Sequence, residues 1–221
     1  MTKPVKRPRN SAQTKELILA AATAEFARRG LDGARVDQIA KRARANKTLI
    51  YTYFGSKDGL FQAVIERAYQ ELRQAQRDLI VRHLDPDAGM AKFVRFTYRA
   101  FLDNPEIIPL ASSENMHRAR HLGKSKKIRE LFDPLPETIT DLLTRGAQEG
   151  VFRPDIDPID LYVSIVSLCS YHISNQYSLS VLLKTELMTP ERRRQREEHI
   201  VDMVRRFVRQ TDRGAARRKS V

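Results

Sequence analysis

Residues 46–57 read NKTLIYTYFGSK. The run gathers groups that bind anionic oxygens and the edges of heterocycles: amines at Lys47 and Lys57, hydroxyls at Thr48 and Thr52, phenols at Tyr51 and Tyr53. Read as a helix at 100° per residue, with Ile50 and Phe54 turned inward, Thr48 and Thr52 point most directly outward. Lys47 and Tyr51 flank one side of that face, Leu49 and Tyr53 the other. A short, polar, aromatic surface of this kind suits the major groove of a nucleic-acid duplex. Lys47 reaches a phosphate or a guanine edge, Thr48 a base edge or a thymine methyl, Leu49 a thymine methyl, and the two tyrosines donate to phosphate oxygens. The following GSK opens another helix with Ser56 as N-cap, where free backbone amides and Lys57 meet a phosphate. Taken singly, Tyr51 and Tyr53 read more simply as half-buried aromatics, and Lys47 and Lys57 as solvated lysines.

The elements that must position this run are legible from periodicity. Ile18, Ala22 and Phe26 repeat at four-residue spacing, and RRGL follows, so one helix spans about Thr14 to Arg29, with Gly30 free to end it at positive φ while Leu31 packs back. Val36, Ile39, Ala40 and Ala43 predict a second helix of about two turns. Asn46 is a good N-cap for the third. Long helix, short helix, tight turn and short helix make the outline of a helix-turn-helix unit. No convincing strand alternation appears anywhere, so the fold class is all-α.

Charge favours the polyanion reading. The chain of 221 residues carries a formal net charge of +13 with a pI near 10.1, and nucleic acid is the default partner for such a balance. Residues 1–57 hold thirteen of the Lys and Arg against four Asp and Glu, a concentration that a merely solvated surface does not require. The one cysteine, Cys169, excludes an internal disulfide and reads as a reduced structural residue of a cytoplasmic protein. No apolar run approaches the roughly 20 residues that span a bilayer, so no membrane partner is expected. No metal-ligand spacing and no cofactor motif is present.

Residues 14–61, TKELILAAATAEFARRGLDGARVDQIAKRARANKTLIYTYFGSKDGLF, resemble the DNA-binding domain of TetR-family transcriptional regulators. The matching features are ILAAATAEFARRG, VDQIAKRA, the YTYF run and the SK at 56 and 57, with their spacing preserved. The resemblance implies double-stranded DNA as partner, with Arg35 and Val36 at the start of the helix that approaches the backbone. Asn46, Lys47, Thr48, Leu49, Tyr51, Thr52, Tyr53 and Lys57 fall on or beside the positions where family members touch DNA. Two departures stand out: Arg44 occupies the turn where the family usually has Gly, and Arg35 the place of a small Ser or Thr. Arg44 is expected at positive φ, at a cost on the order of 1 kcal/mol.

The expected organisation is a basic arm over 1–13, a three-helix DNA-binding domain over 14–56, a helical ligand-binding and dimerisation domain over 57–212, and a basic tail over 213–221. Phe61, Ile65, Ala68 and Leu72 stripe a long fourth helix. Further helices are expected at about 87–103, 105–121, 125–149, 157–183 and 190–212, with Asp157-Pro158 and Thr189-Pro190 as starts and Pro134 and Pro136 kinking or splitting the helix near 135. The 157–183 segment is apolar nearly all round, with Leu161, Ile165, Leu168, His172 and Leu179 on one stripe and Tyr162, Val166, Cys169, Ile173 and Tyr177 on another. A second copy of the chain is its simplest cover, with Ile200, Val204, Phe207 and Val208 of the last helix completing a four-helix interface. The resemblance implies the same thing: a homodimer through its last two helices, its recognition helices about 34 Å apart on a palindromic operator.

The resemblance also implies a small-molecule effector. Phe93, Tyr98, Phe101, Asn115, Met116, Phe132, Tyr171, His172 and Asn175 are the candidate lining, mixing aromatic walls with a few polar groups; taken singly, each reads more simply as a core aromatic or a capped polar residue. Arg118, Arg120 and His121 suit an acidic effector or a solvated basic face. The expected activity is therefore that of an effector-released repressor rather than an enzyme, although an activator would have the same sequence features. Two rival readings are an enzyme using His172, Tyr171 and Glu114 as its acid-base set, and a charge-driven protein that coats DNA without sequence preference.

Overall fold

The structure, a computed structural model, describes residues 11–77, 79, 81–132 and 137–210, and for Arg77, Leu131 and Phe132 the backbone alone. Most of the expected arm, the whole of the tail, and Pro134 and Pro136 lie outside the described residues. Helices are the only extended elements among those described, and they fall into two compact units. The first comprises residues 11–71 and Glu106–Glu130; the second, residues 72–105 and 131–210.

In the first unit, α1 (Ser11–Gly33) packs on α2 (Val36–Ala43), which packs on α3 (Lys47–Phe54). α1 leaves helical geometry at Gly30 (φ 67°, ψ 177°), a backbone that only glycine adopts without strain. That break turns Leu31 into the core, 3% exposed, where its amide donates to Ser113 Oγ at 3.0 Å. α4 (Lys57–Arg77) begins after Ser56, whose Oγ accepts from Gly59 N at 3.0 Å. Phe26 and Phe61 meet edge to face at 5.0 Å between ring centres, amid buried Ile18, Ala22, Ile39, Ile50, Leu60 and Ile65.

The unit does not stop at residue 56. It takes in α4 as far as Glu71 together with α6 (Ile107–Met116), α7 (Arg120–Lys124) and α8 (Lys126–Phe132) as far as Glu130. The single helix expected over 105–121 is broken, because Arg118 and Ala119 both take positive φ (56° and 54°).

In the second unit, α5 (Pro86–Asp103) packs against α9 (Glu137–Gln148), α10 (Pro158–Ser174) and α12 (Pro190–Val208). Its caps follow the sequence: Asp85, Asp157 and Thr189 side chains accept from the first-turn amides of α5, α10 and α12, and Pro occupies the first position of each. The expected 157–183 helix is interrupted at Asn175 (φ −107°, ψ 14°), after which α11 (Gln176–Leu182) begins. The end of α12 is fastened to the loop after α9 by Arg153 N donating to Val208 O at 3.0 Å and Gln210 N to Val151 O at 2.9 Å. No helix among the described residues is long and apolar enough to cross a membrane.

Candidate nucleic-acid interface

The turn between α2 and α3 is built by two residues. Arg44 closes α2 in the left-handed conformation (φ 51°, ψ 38°), and the amide of Ala45 donates back to Ala40 O at 3.0 Å, a helix-ending pattern that most often uses glycine. Two residues on, Asn46 Oδ1 accepts from Leu49 N at 2.7 Å, meeting one of the amides that a helix start leaves without an acceptor. α3 therefore starts at a fixed residue and in a fixed direction. Ile50 is fully buried beneath it, while Phe54 is only half-buried.

Lys47, Thr48, Tyr51 and Thr52 are exposed on the outer face, with Leu49 and Tyr53 half-buried at its edges. Lys47 Nζ lies 3.0 Å from Asp37 Oδ1, and the hydrogen bond to that carboxylate, with its charge, raises the amine's pKa. Both groups are largely solvated, so the pair restrains the lysine weakly and leaves it free to exchange a carboxylate for a phosphate. Thr52 Oγ1 donates to Thr48 O at 2.9 Å, which orients the hydroxyl while leaving its lone pairs outward. Lys15 stacks its amine over the Tyr53 ring at 5.0 Å. Lys57 Nζ donates to Asp32 O at 3.0 Å, holding it beside the α4 N-terminus. Arg35 is exposed ahead of α2. Val36 is a correction: it is 8% exposed, so its side chain belongs to the core. Only its amide, in the first turn of α2, remains a possible donor to a phosphate.

One charged group of this unit was not visible as such in the sequence reading. Glu25 is fully buried, with Arg28, Arg29 and Arg42 guanidinium groups 3.4, 3.3 and 3.8 Å from its carboxylate. The signal was present, since Glu25 stands seven residues after Ile18 on the same helical stripe. The three arginines are about half-exposed and keep their positive charge at the surface.

The nine residues expected to line a cavity are divided between the two units. Asn115 and Met116 belong to the first unit, where Met116 is 81% exposed and Asn115 Nδ2 donates to Ala111 O. Phe132 has no described side chain. Tyr171 points to solvent at 59% exposure, and Asn175 Nδ2 is spent on Tyr171 O and Ser174 Oγ. Phe93, Tyr98, Phe101 and His172 are buried in the second unit, where the Tyr98 hydroxyl and His172 Nε2 lie 3.1 Å apart. Burial pushes the Tyr98 phenol up to about 12 and the His172 imidazole down to about 4, so this is a neutral pair packed in a core. The acid-base set of His172, Tyr171 and Glu114 is likewise divided, Glu114 belonging to the first unit. The second unit does hold a cleft of about 550 Å³ whose lining includes Arg73, Val81, Arg82, His83, Glu137 and Asp141; none of the eight candidates with described side chains is among the described residues of its lining.

Apolar surface is concentrated elsewhere in the second unit. α10 buries Leu161, Ile165, Cys169, His172 and Ile173 on one face only and leaves Ile159 and Val163 more than half exposed. On α11, Tyr177 and Val181 are 82% and 77% exposed. On α12, Ile200, Val204 and Val208 are buried, but Phe207 is not with them: it is 52% exposed, under the Arg153 guanidinium at 4.1 Å.

Comparison with known proteins agrees with the arrangement. Residues 18–64 match a family profile described as bacterial regulatory proteins, tetR family, and residues 86–204 one described as tetracyclin repressor-like, C-terminal domain. The chain is 33% identical over 181 residues to the HTH-type transcriptional repressor NicS of Pseudomonas putida, covering 82% of this chain and 85% of that protein. It is 34% identical over 167 residues to the HTH-type transcriptional repressor SCO4008 of Streptomyces coelicolor, covering 75% and 81%. The crystal structure of a tetR-family regulatory protein from Rhodococcus RHA1 shares the fold, with a TM-score of 0.69 at 18% identity over 90% of this chain and 98% of that one.

Proposed function

Because the chain belongs to the TetR family of DNA-binding transcriptional regulators, we propose that it is a repressor that grips a palindromic operator as a homodimer and releases it when a small molecule binds. The observation that carries the reading is α3: a helix started by Asn46, aimed by the left-handed Arg44, and presenting Lys47, Thr48, Tyr51 and Thr52 outward. Thr48 and Lys47 read base edges, and Tyr51, Tyr53 and Lys57 hold phosphates on either side.

Dimerisation is supported by the apolar residues that the second unit leaves on α10, α11 and α12. A scattered exposed Leu or Val needs no explanation, but Ile159, Val163, Tyr171, Tyr177, Val181 and Phe207, all more than half exposed, amount to a surface that a second copy would cover. Effector control is supported by the 550 Å³ cleft of the second unit, whose mixed Arg, His, Glu and Asp lining suits a polar ligand better than an aromatic one. For such a ligand to swing operator occupancy from 99:1 to 1:99 it must favour the DNA-incompetent state by about 5.5 kcal/mol. Repressor rather than activator follows the names of the relatives NicS and SCO4008.

Sedimentation of the protein on a duplex carrying its selected site tests the assembly: two chains per palindrome are expected, and a single chain on a half-site would overturn the dimer. A thermal-shift screen of polar metabolites, followed by duplex release with each hit, tests the effector. Hits that stabilise the protein and leave the duplex bound would overturn release.

A further inference from the structure

The α6–α7 turn holds two successive non-glycine residues, Arg118 and Ala119, at positive φ, a conformation that persists only where its surroundings impose it. Glu114 imposes it. Its carboxylate is 1% exposed, and Oε1 accepts from the amides of His121 and Leu122 at 2.8 and 2.9 Å. Its other oxygen faces His121 Nδ1 at 2.6 Å, while His121 Nε2 faces Asp58 Oδ1 at 3.3 Å. Both ring nitrogens of a histidine only 4% exposed therefore look at carboxylate oxygens. A neutral imidazole has one N–H and satisfies one such partner; only the imidazolium donates to both.

Every element around the ring bears on its charge. α6 contributes Glu114, and its C-cap is His117, whose ring lies 6.4 Å away and whose Nε2 faces Asp32 Oδ2 of α1 at 3.5 Å. α4 contributes Asp58 and the edge-on Phe61 ring at 5.0 Å, and α7 itself contributes Arg120, paired with Asp58. The hydrogen bond from His121 is the main cause that holds the Asp58 carboxyl below its usual range. Asp58 is the second residue of α4, directly after Lys57.

We propose that His121 is a positioning residue for DNA binding: clamped as an imidazolium between Glu114 and Asp58, it sets the first turn of α4, with Ser56 and Lys57, where it meets phosphate. The inference rests on the assignment of α3 and the start of α4 as the DNA-reading surface. Since the DNA-competent form holds the proton, affinity is full at the acid end and falls as pH rises through the loss of that proton. One fully linked proton changes affinity by about tenfold per pH unit inside that window.

The test uses a duplex selected by the wild-type protein from a random library, with anisotropy titrations at constant ionic strength from about pH 5.5 to 8.5. Wild type should weaken with rising pH by about tenfold more than His121→Gln or Asp58→Asn, and His117→Gln should keep the wild-type profile. Asp58 is half-exposed, so its replacement leaves the buried pair in place should His121→Gln not fold. Nitrogen NMR of the free protein should show a His121 ring with both nitrogens protonated. Variants that keep the wild-type slope, or a singly protonated ring throughout, would overturn the proposal. A library that yields no preferred duplex would sink the DNA-reading assignment instead, and the NMR signal, which needs no DNA, tells the two failures apart.

Discussion

Replacing Asp87 by Asn in the second unit should cost stability in a pH-dependent way. Asp87 lies in the first turn of α5, 16% exposed, and is gripped by two arginines from the last turn of α12 and beyond: Arg205 through Nε at 3.0 Å and a second, shorter contact from Nη2, and Arg209 through Nε at 3.2 Å and Nη2 at 2.9 Å. An acid near a helix start and bases near a helix end also suit both helix dipoles. The Arg205 hydrogen bond first, then that from Arg209 and both charges, overcome the cost of burial and hold the Asp87 carboxyl down from 3.8 to about 2. At 1.36 kcal/mol per pH unit, that depression corresponds to about 2 kcal/mol, which solvent screening around the part-exposed guanidinium groups reduces to about 1 kcal/mol. The pKa is lowered on folding, so this stability is present in full above about pH 4 and is lost as pH falls through about 2. Urea unfolding followed by circular dichroism, at one protein concentration because an oligomer's stability depends on it, should place Asp87→Asn below wild type by about 1 kcal/mol at pH 7, with the gap roughly halved near pH 3 and closing as pH falls through about 2. A gap that stays constant from pH 7 to the acid limit, or no gap at all, would refute the ion-pair account.

Substitutions at three further positions have outcomes fixed by local geometry. Asn46→Ala removes the acceptor for Leu49 N and should cost about 1 kcal/mol in a urea melt, with weaker binding to every duplex because α3 frays at its reading end. Arg44→Gly relieves the positive φ at 51° and should stabilise by about 0.5 kcal/mol after glycine's own entropy is counted, whereas Arg44→Lys should gain nothing in the same melt. Gly146→Ala puts a Cβ 2.1 Å from Phe152 Cδ2, and because Phe152 is 1% exposed and has no room to retreat, a melting-temperature drop corresponding to about 1–3 kcal/mol is expected.

The features that sequence exposed most clearly are those governed by chemistry within a few residues. Asn46 accepts from the amide three residues on, Arg44 takes the positive φ that its place in the turn demanded, and Asp157 and Thr189 cap the helices their prolines begin. The all-α class followed from periodicity alone. Breaks not marked by glycine or proline were hidden: the turn at Arg118 and Ala119 is held by a carboxylate reaching back from Glu114, and α10 yields to α11 at Asn175. The cavity lining was not legible because aromatic composition does not distinguish a wall from a packed core. Tyr98 and His172 pair inside through one hydrogen bond, while Tyr171, one residue earlier, faces out. Val36 and Phe207 show the same limit at a helix edge, where a rotation of a few tens of degrees exchanges core for surface.

The central claim is that α3 reads sequence. Footprinting of the purified protein on its own upstream DNA and on a random-sequence library at physiological salt, with Thr48→Ala and Lys57→Ala beside wild type, tests it most directly. The account predicts a protected palindrome whose base preference changes with Thr48→Ala, while Lys57→Ala weakens all sequences alike. Uniform protection that vanishes with added salt and is indifferent to Thr48 would contradict it and leave a basic aromatic surface that binds DNA without reading it.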